Sequence, residues 1–330
     1  MSGRRATDLT IVINCHDMRR EAPRTLESLA PGYQRGTSGI EYEIVAIDNG
    51  SRLPLDPAIV RRVGGEGCRH VAVETDSASP AAAINSVVRE SASEWIMCFI
   101  DGARMASPGI VRSSMACTRM FDRPFVYTLA MHLGHRLQND ALERGYDQSA
   151  EDALLDSVDW RNDGYALFRI STVSPARVRG FFSRLAETNC FLMRRDDYLA
   201  IGGMCEEFRS PGGGLVNHDL FNRVHETAGI DPVMLLGEAT FHQFHGGVST
   251  NTPRRRHPWA GFADEYRRIR GRDFSSGWRP PVYFGGIPGE CSGLVHDPRE
   301  VPAISRRTGW WRRCRGLFSL GQGRTASRER

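Results

Sequence analysis

The chain has 330 residues, 40% of them hydrophobic and 25% charged, with a formal net charge of +4. That mix supports a sizeable core, and so small a net charge over this length argues against a nucleic-acid partner. All 43 basic residues are arginine, which fits a GC-rich genome better than dedicated phosphate recognition, one or two positions aside. The 8 cysteines form no CxxC pair, and several lie in apolar runs such as Trp95 to Ile100. This is the usage expected of buried thiols in a reducing compartment. Met1 to Asp8 is polar and no apolar stretch approaches a membrane span, so a cytoplasmic location is expected.

In chain order, Leu9 to Cys15 is short, β-branched and not alternating, as in a strand buried on both faces. Pro23 to Ala30 predicts a short helix with Leu26 and Leu29 inward. Tyr42 to Ile47 predicts a second buried strand ending in the polar turn Asp48-Asn49-Gly50-Ser51. His70 to Val73 is a third strand, Ala81 to Ser91 a helix, and Glu94 to Ile100 a fourth strand ending at Asp101-Gly102-Ala103-Arg104. Further on, Phe125 to Leu133, Thr188 to Met193 and Met234 to His242 read as strands. Ala150 to Val158, Tyr198 to Ile201, about Asn217 to Ala228, and Trp259 to Arg270 read as helices. Pro211 to Gly214 reads as a flexible turn, residues 271–300 as irregular, and Ser305 to Arg330 as a basic tail. The expected class is α/β, a doubly wound, mainly parallel central sheet over residues 1–250, with a C-terminal extension over 251–330. Ligands of such sheets bind outside the carboxyl ends of the strands, where Asn14, Asp48 and Asp101 fall.

Six segments in order resemble the family-2 nucleotide-sugar glycosyltransferases of the GT-A fold. They are Ile11 to Asn14, Ile47 to Ser51, Ala83-Ile84-Asn85, Trp95 to Asp101, Ile201 to Phe208 and Asp219 to Arg223. The resemblance implies a GT-A-like fold and an inverting sugar transfer from a nucleotide-sugar donor. It implies a divalent cation, manganese or magnesium, and leaves the acceptor open. Asn14, Asp48, Asn85, Asp101 and Arg104 would then face the donor. The family's Asp-x-Asp reads Asp101-Gly102-Ala103 here, and its acidic pair reads Val216-Asn217. A second carboxylate and the usual base position are therefore missing.

The chemistry needs charge stabilisation at a leaving diphosphate and a proton acceptor for the incoming hydroxyl. Asp101 is the first choice for the cation, Gly102 leaving room for a ligand to approach, with His245 or His242 completing the set. Arg104 could replace part of the lost metal charge. Asp48 could equally cap its turn. Asp219 is the expected base, with His218 as the alternative and Arg223 positioning the carboxylate one turn on. Asp219 could instead simply favour the helix dipole. His132 and His135 read as structural. The arginine- and aromatic-rich stretch Trp310 to Phe318 suits peripheral contact with an anionic membrane surface, or a docked terminus. Two other classes compete. One is a non-catalytic sugar-nucleotide-binding module, prompted by the missing carboxylates. The other is a dinucleotide-binding enzyme, which the lack of Gly-x-Gly-x-x-Gly after the first strand argues against.

Overall fold

In strand β1 (Leu9–Cys15) Leu9, Ile11, Ile13 and Cys15 enter one apolar cluster, while Val12 enters another on the opposite face. The same split by parity occurs in β2 (Tyr42–Asn49), with Ile44 and Ala46 against Val45 and Ile47. It recurs in β4 (Trp95–Phe99), with Trp95, Met97 and Phe99 against Ile96 and Cys98. A strand places successive side chains on opposite faces, so an unbroken apolar run requires a core on both sides. The structure, a computed structural model, describes residues 7–77, 79–175 and 178–295. The tail segment Trp310 to Phe318 and Cys314 lie outside the described residues.

The remaining strands are β3 (Cys68–Val73), β5 (Arg104–Ala106), β6 (Pro124–Leu133), β7 (Ser171–Ser174), β8 (Cys190–Arg194), β9 (Asp231–His242) and β10 (Val282–Gly285). They form one sheet in the order β10-β9-β6-β8-β4-β1-β2-β3, with β5 paired to β9 and β7 to β6. The β1, β2, β3 and β4 ladders are parallel, as are β6 with β9 and β9 with β10. Strand β8 is antiparallel to both β4 and β6. The fold is thus α/β, with a mainly parallel central sheet.

Helices α1 (Ala22–Leu29), α2 (Pro57–Gly64) and α4 (Ile110–Cys117) cover one face through Leu26, Leu29, Val60, Ile110 and Val111. The other face takes Ile84, Val87 and Val88 of α3 (Ala81–Glu90), Tyr198 of α7 (Arg195–Ala200) and Leu220, Phe221 and Val224 of α8 (Val216–Glu226). Phe262 and Tyr266 of α9 (Trp259–Arg270) join that face. Two short helices, α5 (Gln138–Ala141) and α6 (Gln148–Asp156), lie in the β6–β7 connection. Full burial of one such side chain contributes roughly 1.5–3 kcal/mol, so each face holds its helices through several residues. The stretch 271–300, expected to be irregular, contributes β10, which extends the sheet beside β9. Its four residues are too few to show a period of two. The seven cysteines among the described residues are free, six of them buried. Among the described residues no helix is long and apolar enough to cross a membrane.

Candidate functional site

Register brings the strand ends together. Cys15 pairs with Asp48 and Ile13 with Phe99, so β1, β2 and β4 finish along one edge of the sheet. Strand β9 ends there too, because His242 pairs with His132 of β6 and with Arg104 of β5. Strand β8 runs the opposite way, so its amino end, preceded by Glu187, Thr188 and Asn189, reaches the same edge. A cleft of about 670 Å³ opens there, within the range of small-molecule sites. Asn14, Asp101, Arg104, Glu187, His218 and His245 are among its lining residues.

After β4 the chain turns sharply. Gly102 N donates to the Asn14 carbonyl at 2.7 Å, and a Cβ on Gly102 would come within 2.3 Å of Cys15 Sγ. Glycine is needed here so that the turn can pack on the end of β1, and not for ligand access as the sequence suggested. The turn fixes Asp101, whose Oδ1 accepts from Ala103 N at 2.9 Å. Its Oδ2 faces His242 Nε2 at 3.1 Å and His245 Nε2 at 3.6 Å. The two imidazole Nε2 atoms are 3.2 Å apart.

The tautomer of His242 follows from its neighbours. Gln138 Nε2 donates to the His242 carbonyl, and Asn251 Nδ2 donates to Gln138 Oε1. Gln138 Oε1 therefore acts as an acceptor, and His242 Nδ1, 2.7 Å away, carries the proton. In neutral His242 the Nε2 lone pair then points at Asp101. His245 is held by its backbone. Asn251 Oδ1 accepts from the N–H groups of His245, Gly246 and Gly247. A Cβ on Gly247 would sit 2.8 Å from His245 Nε2, so this glycine leaves room for the imidazole itself.

Three potential ligand atoms thus converge, and all lie within 4.8 Å of one another. Ligand atoms sharing a cation at about 2.0–2.2 Å lie roughly 3.0–3.5 Å apart, close to the spacings seen here. The donor set, one carboxylate and two imidazoles with an outer hydrogen bond to His242 Nδ1, suits a divalent metal. Burial pushes the Asp101 carboxyl up, but His245 and His242 outweigh it and hold it well below the usual carboxylate range. Burial, helped by Arg104, lowers His242 to about 4. Burial also lowers His245, but the Asp101 charge prevails and raises it.

Arg104 is only 4% exposed. Its Nε and Nη1 are buried without a hydrogen-bond partner, and Nε lies 3.7 Å from Asp101 Oδ2. Asn14 Oδ1 is likewise buried without a partner. Unsatisfied polar groups at a cleft wall are the groups a ligand would satisfy. His132 is buried, accepts from Gln138 N, packs beside His242 and also lines the cleft.

Three other expected site residues are engaged elsewhere and do not line the cleft. Asp48 spends both carboxylate oxygens on its own turn, accepting from Ser51 N and Leu55 N. Asn85 joins α3 to the 198–206 segment, accepting from Tyr198 and Met204 N and donating to the Met204 carbonyl and Glu206. Asp219, expected as the base, is 1% exposed. Its two oxygens are clamped by Arg223 and by both Nε and Nη2 of Arg270 at 2.6–2.9 Å. A carboxylate so enclosed has no path to an acceptor hydroxyl. His218, by contrast, faces the cleft beside Asn217 and Glu187. Sequence reasoning passed over Glu187 because it looked only at carboxyl ends of strands assumed parallel. An antiparallel strand brings its amino end to that edge instead.

No family model and no curated protein matches this chain. Among solved structures, Staphylococcus aureus TarS 1–349 in complex with UDP is similar at 12% identity and a TM-score of 0.45, over 71% of this chain and 60% of that one. The longer S. aureus TarS gives 11% and 0.46, over 72% and 37%. TarS 1–349 in complex with UDP-GlcNAc gives 12% and 0.45, over 72% and 59%. The chain therefore spans less than two thirds of each of these proteins.

Proposed function

We propose that this chain is a glycosyltransferase, moving a sugar with inversion from a nucleotide-sugar donor to an acceptor hydroxyl with the help of a divalent cation. The observation that carries this reading is the convergence of Asp101, His242 and His245 at the cleft beside the buried guanidinium of Arg104, whose Nε and Nη1 make no hydrogen bond. Asp101, His242 and His245 would hold the cation. Manganese or magnesium bound there would neutralise charge growing on the leaving diphosphate. Arg104 meets that same charge from the cleft floor, preorganised because burial already fixes its direction. Asn14 offers an acceptor to a donor hydroxyl. The end of the cleft lined by His16, Asp17, Arg52 and Pro80 takes the nucleoside. Cytoplasmic location and peripheral membrane contact through the tail belong to the same proposal.

The test is a melting-temperature panel of uridine, guanosine, thymidine, adenosine and cytidine diphosphates with and without manganese. One of them should raise the midpoint, and more with manganese, since a ligand at 100 times its Kd adds about 2.7 kcal/mol to the native state. Asp101→Asn should abolish the manganese-dependent part. No shift with any diphosphate, or a shift only with NAD or S-adenosylmethionine, would refute the proposal. The absent carboxylates at Ala103 and Asn217 favour one second reading, a binding module. It predicts the shift with no release of nucleoside diphosphate from any nucleotide sugar.

A further inference from the structure

Among the described residues, Asp17, Asp101 and Glu187 are the carboxylates lining the cleft. Asp17 is bound to Arg52 through its side chain and backbone, and Asp101 faces the two imidazoles. Glu187 is different. Its Oε2 accepts from Asn217 Nδ2, and His218 Nδ1 lies 3.4 Å from the same oxygen. Among the described residues no hydrogen bond reaches Oε1, and the side chain keeps 27% of its surface.

Asn217 and His218 are the second and third residues of α8, so the positive end of the helix dipole also faces this carboxylate. Arg104 interacts electrostatically with both Asp101 and Glu187, and all three line the same cleft. A sugar whose diphosphate meets Asp101 and Arg104 would lie in the cleft that Glu187 also lines.

The geometry points to Glu187 as the general base of the reaction, with Asn217 and His218 as positioning residues, an inference that rests on the glycosyltransferase reading above. Glu187 Oε1 takes the proton of the acceptor hydroxyl as that oxygen bonds to the anomeric carbon. The bond from that carbon to the diphosphate oxygen breaks, and its electron pair leaves with the diphosphate. The proton on Glu187 passes afterwards to water. Where the resembling family carries a carboxylate, Asn217 supplies an amide that holds a carboxylate from the neighbouring loop. The acid has moved from the helix to the segment before β8.

The experiment measures nucleoside diphosphate release from a panel of nucleotide sugars, alongside the manganese-dependent melting shift with the matching diphosphate. Glu187→Gln should lower turnover by about 10²–10⁴-fold with the melting shift unchanged. Glu187→Ala should regain activity when formate is added. In the Glu187→Gln background, Asn217→Asp should return part of the lost rate, with an acidic limb reappearing in the pH profile. Turnover by Glu187→Gln within about twofold of wild type would overturn the assignment. So would loss of the melting shift, which would make Glu187 a binding or structural residue. If the wild-type chain shows no melting shift and no release, the glycosyltransferase reading falls first and takes this inference with it. A wild type that turns over beside an unimpaired Glu187→Gln overturns the base assignment alone.

Discussion

Gln138 touches neither the cleft surface nor Asp101, yet replacing it should weaken cation binding. The residue is fully buried, and its side chain makes three hydrogen bonds, two to His242 and one from Asn251 that marks its Oε1 as the acceptor. In Gln138→Met the volume is nearly kept. His242 Nδ1–H, the His242 carbonyl and Asn251 Nδ2 each lose a partner. A buried polar group left unsatisfied costs about 1–3 kcal/mol. With partial relaxation across a shared site, roughly 2–4 kcal/mol of stability should be lost. The ring also loses the contact that holds its proton on Nδ1 and its lone pair toward Asp101. Outer partners of this kind are typically worth 10–100-fold in metal affinity. Free manganese counted by electron paramagnetic resonance during a titration reports binding without requiring turnover. Circular dichroism shows whether the variant is folded. A folded Gln138→Met that binds manganese as tightly as wild type would refute the tautomer argument and His242 as a ligand together.

Asp219→Asn separates a structural carboxylate from a catalytic one. It should cost about 2–3 kcal/mol in chemical unfolding, toward the low end for a broken ion pair because Arg223 and Arg270 keep 21% and 28% of their surface. Turnover should stay near wild type at temperatures where the variant is folded. Glu151, whose Oε2 accepts from Phe244 N, predicts a pH dependence. Burial raises its carboxyl to about 7 against the opposing contribution of Arg20. Its folded value lies above its unfolded one, so its stabilisation is complete below about 4.5 and is lost as pH rises through 7. Glu151→Gln should remove that slope, worth at most about 3 kcal/mol at 1.36 kcal/mol per pKa unit. Unfolding curves at pH 5 and 8 that differ equally in the two proteins would contradict it.

Much of the sheet was legible because it is buried on both faces. Leu9 to Cys15, Tyr42 to Ile47 and Glu94 to Ile100 each form an apolar run that only a doubly covered strand explains. Strands β5 and β7 have three and four residues, and their pairing with β9 and β6 is long-range, so no local pattern announces them. The metal-type cluster was legible residue by residue. Asp101, His242 and His245 each stand at a strand end or just after one, and the structure brings all three together. Asp48 and Asn85 were read from the same kind of position. What the sequence does not contain is where a polar side chain points once local backbone donors compete for it. Asp48 finds Ser51 N and Leu55 N within its own turn, and a carboxylate satisfied there has little left for a ligand.

Asp219 shows the same competition at longer range. Its partner Arg223, one helical turn away, was readable from spacing, and the pair is present at 2.9 Å. The second clamp, Arg270, comes from α9, 51 residues further on. Arg223 alone would leave Oδ1 free, but Arg270 reaches both oxygens. Asp219 therefore fastens α9 to α8, the helix whose amino end presents Asn217 and His218 to the cleft. The two functions of α8 lie on opposite sides of its first turn. Asn217 and His218 face Glu187, while Asp219, one residue on and about 100° round the helix, faces α9. A carboxylate at 217 would meet the cleft, but a carboxylate at 219 meets arginines. A step of two residues, about 200° round the helix, thus takes a side chain from the cleft to α9. On the proposal above, the carboxylate serving the cleft comes instead from the segment before β8.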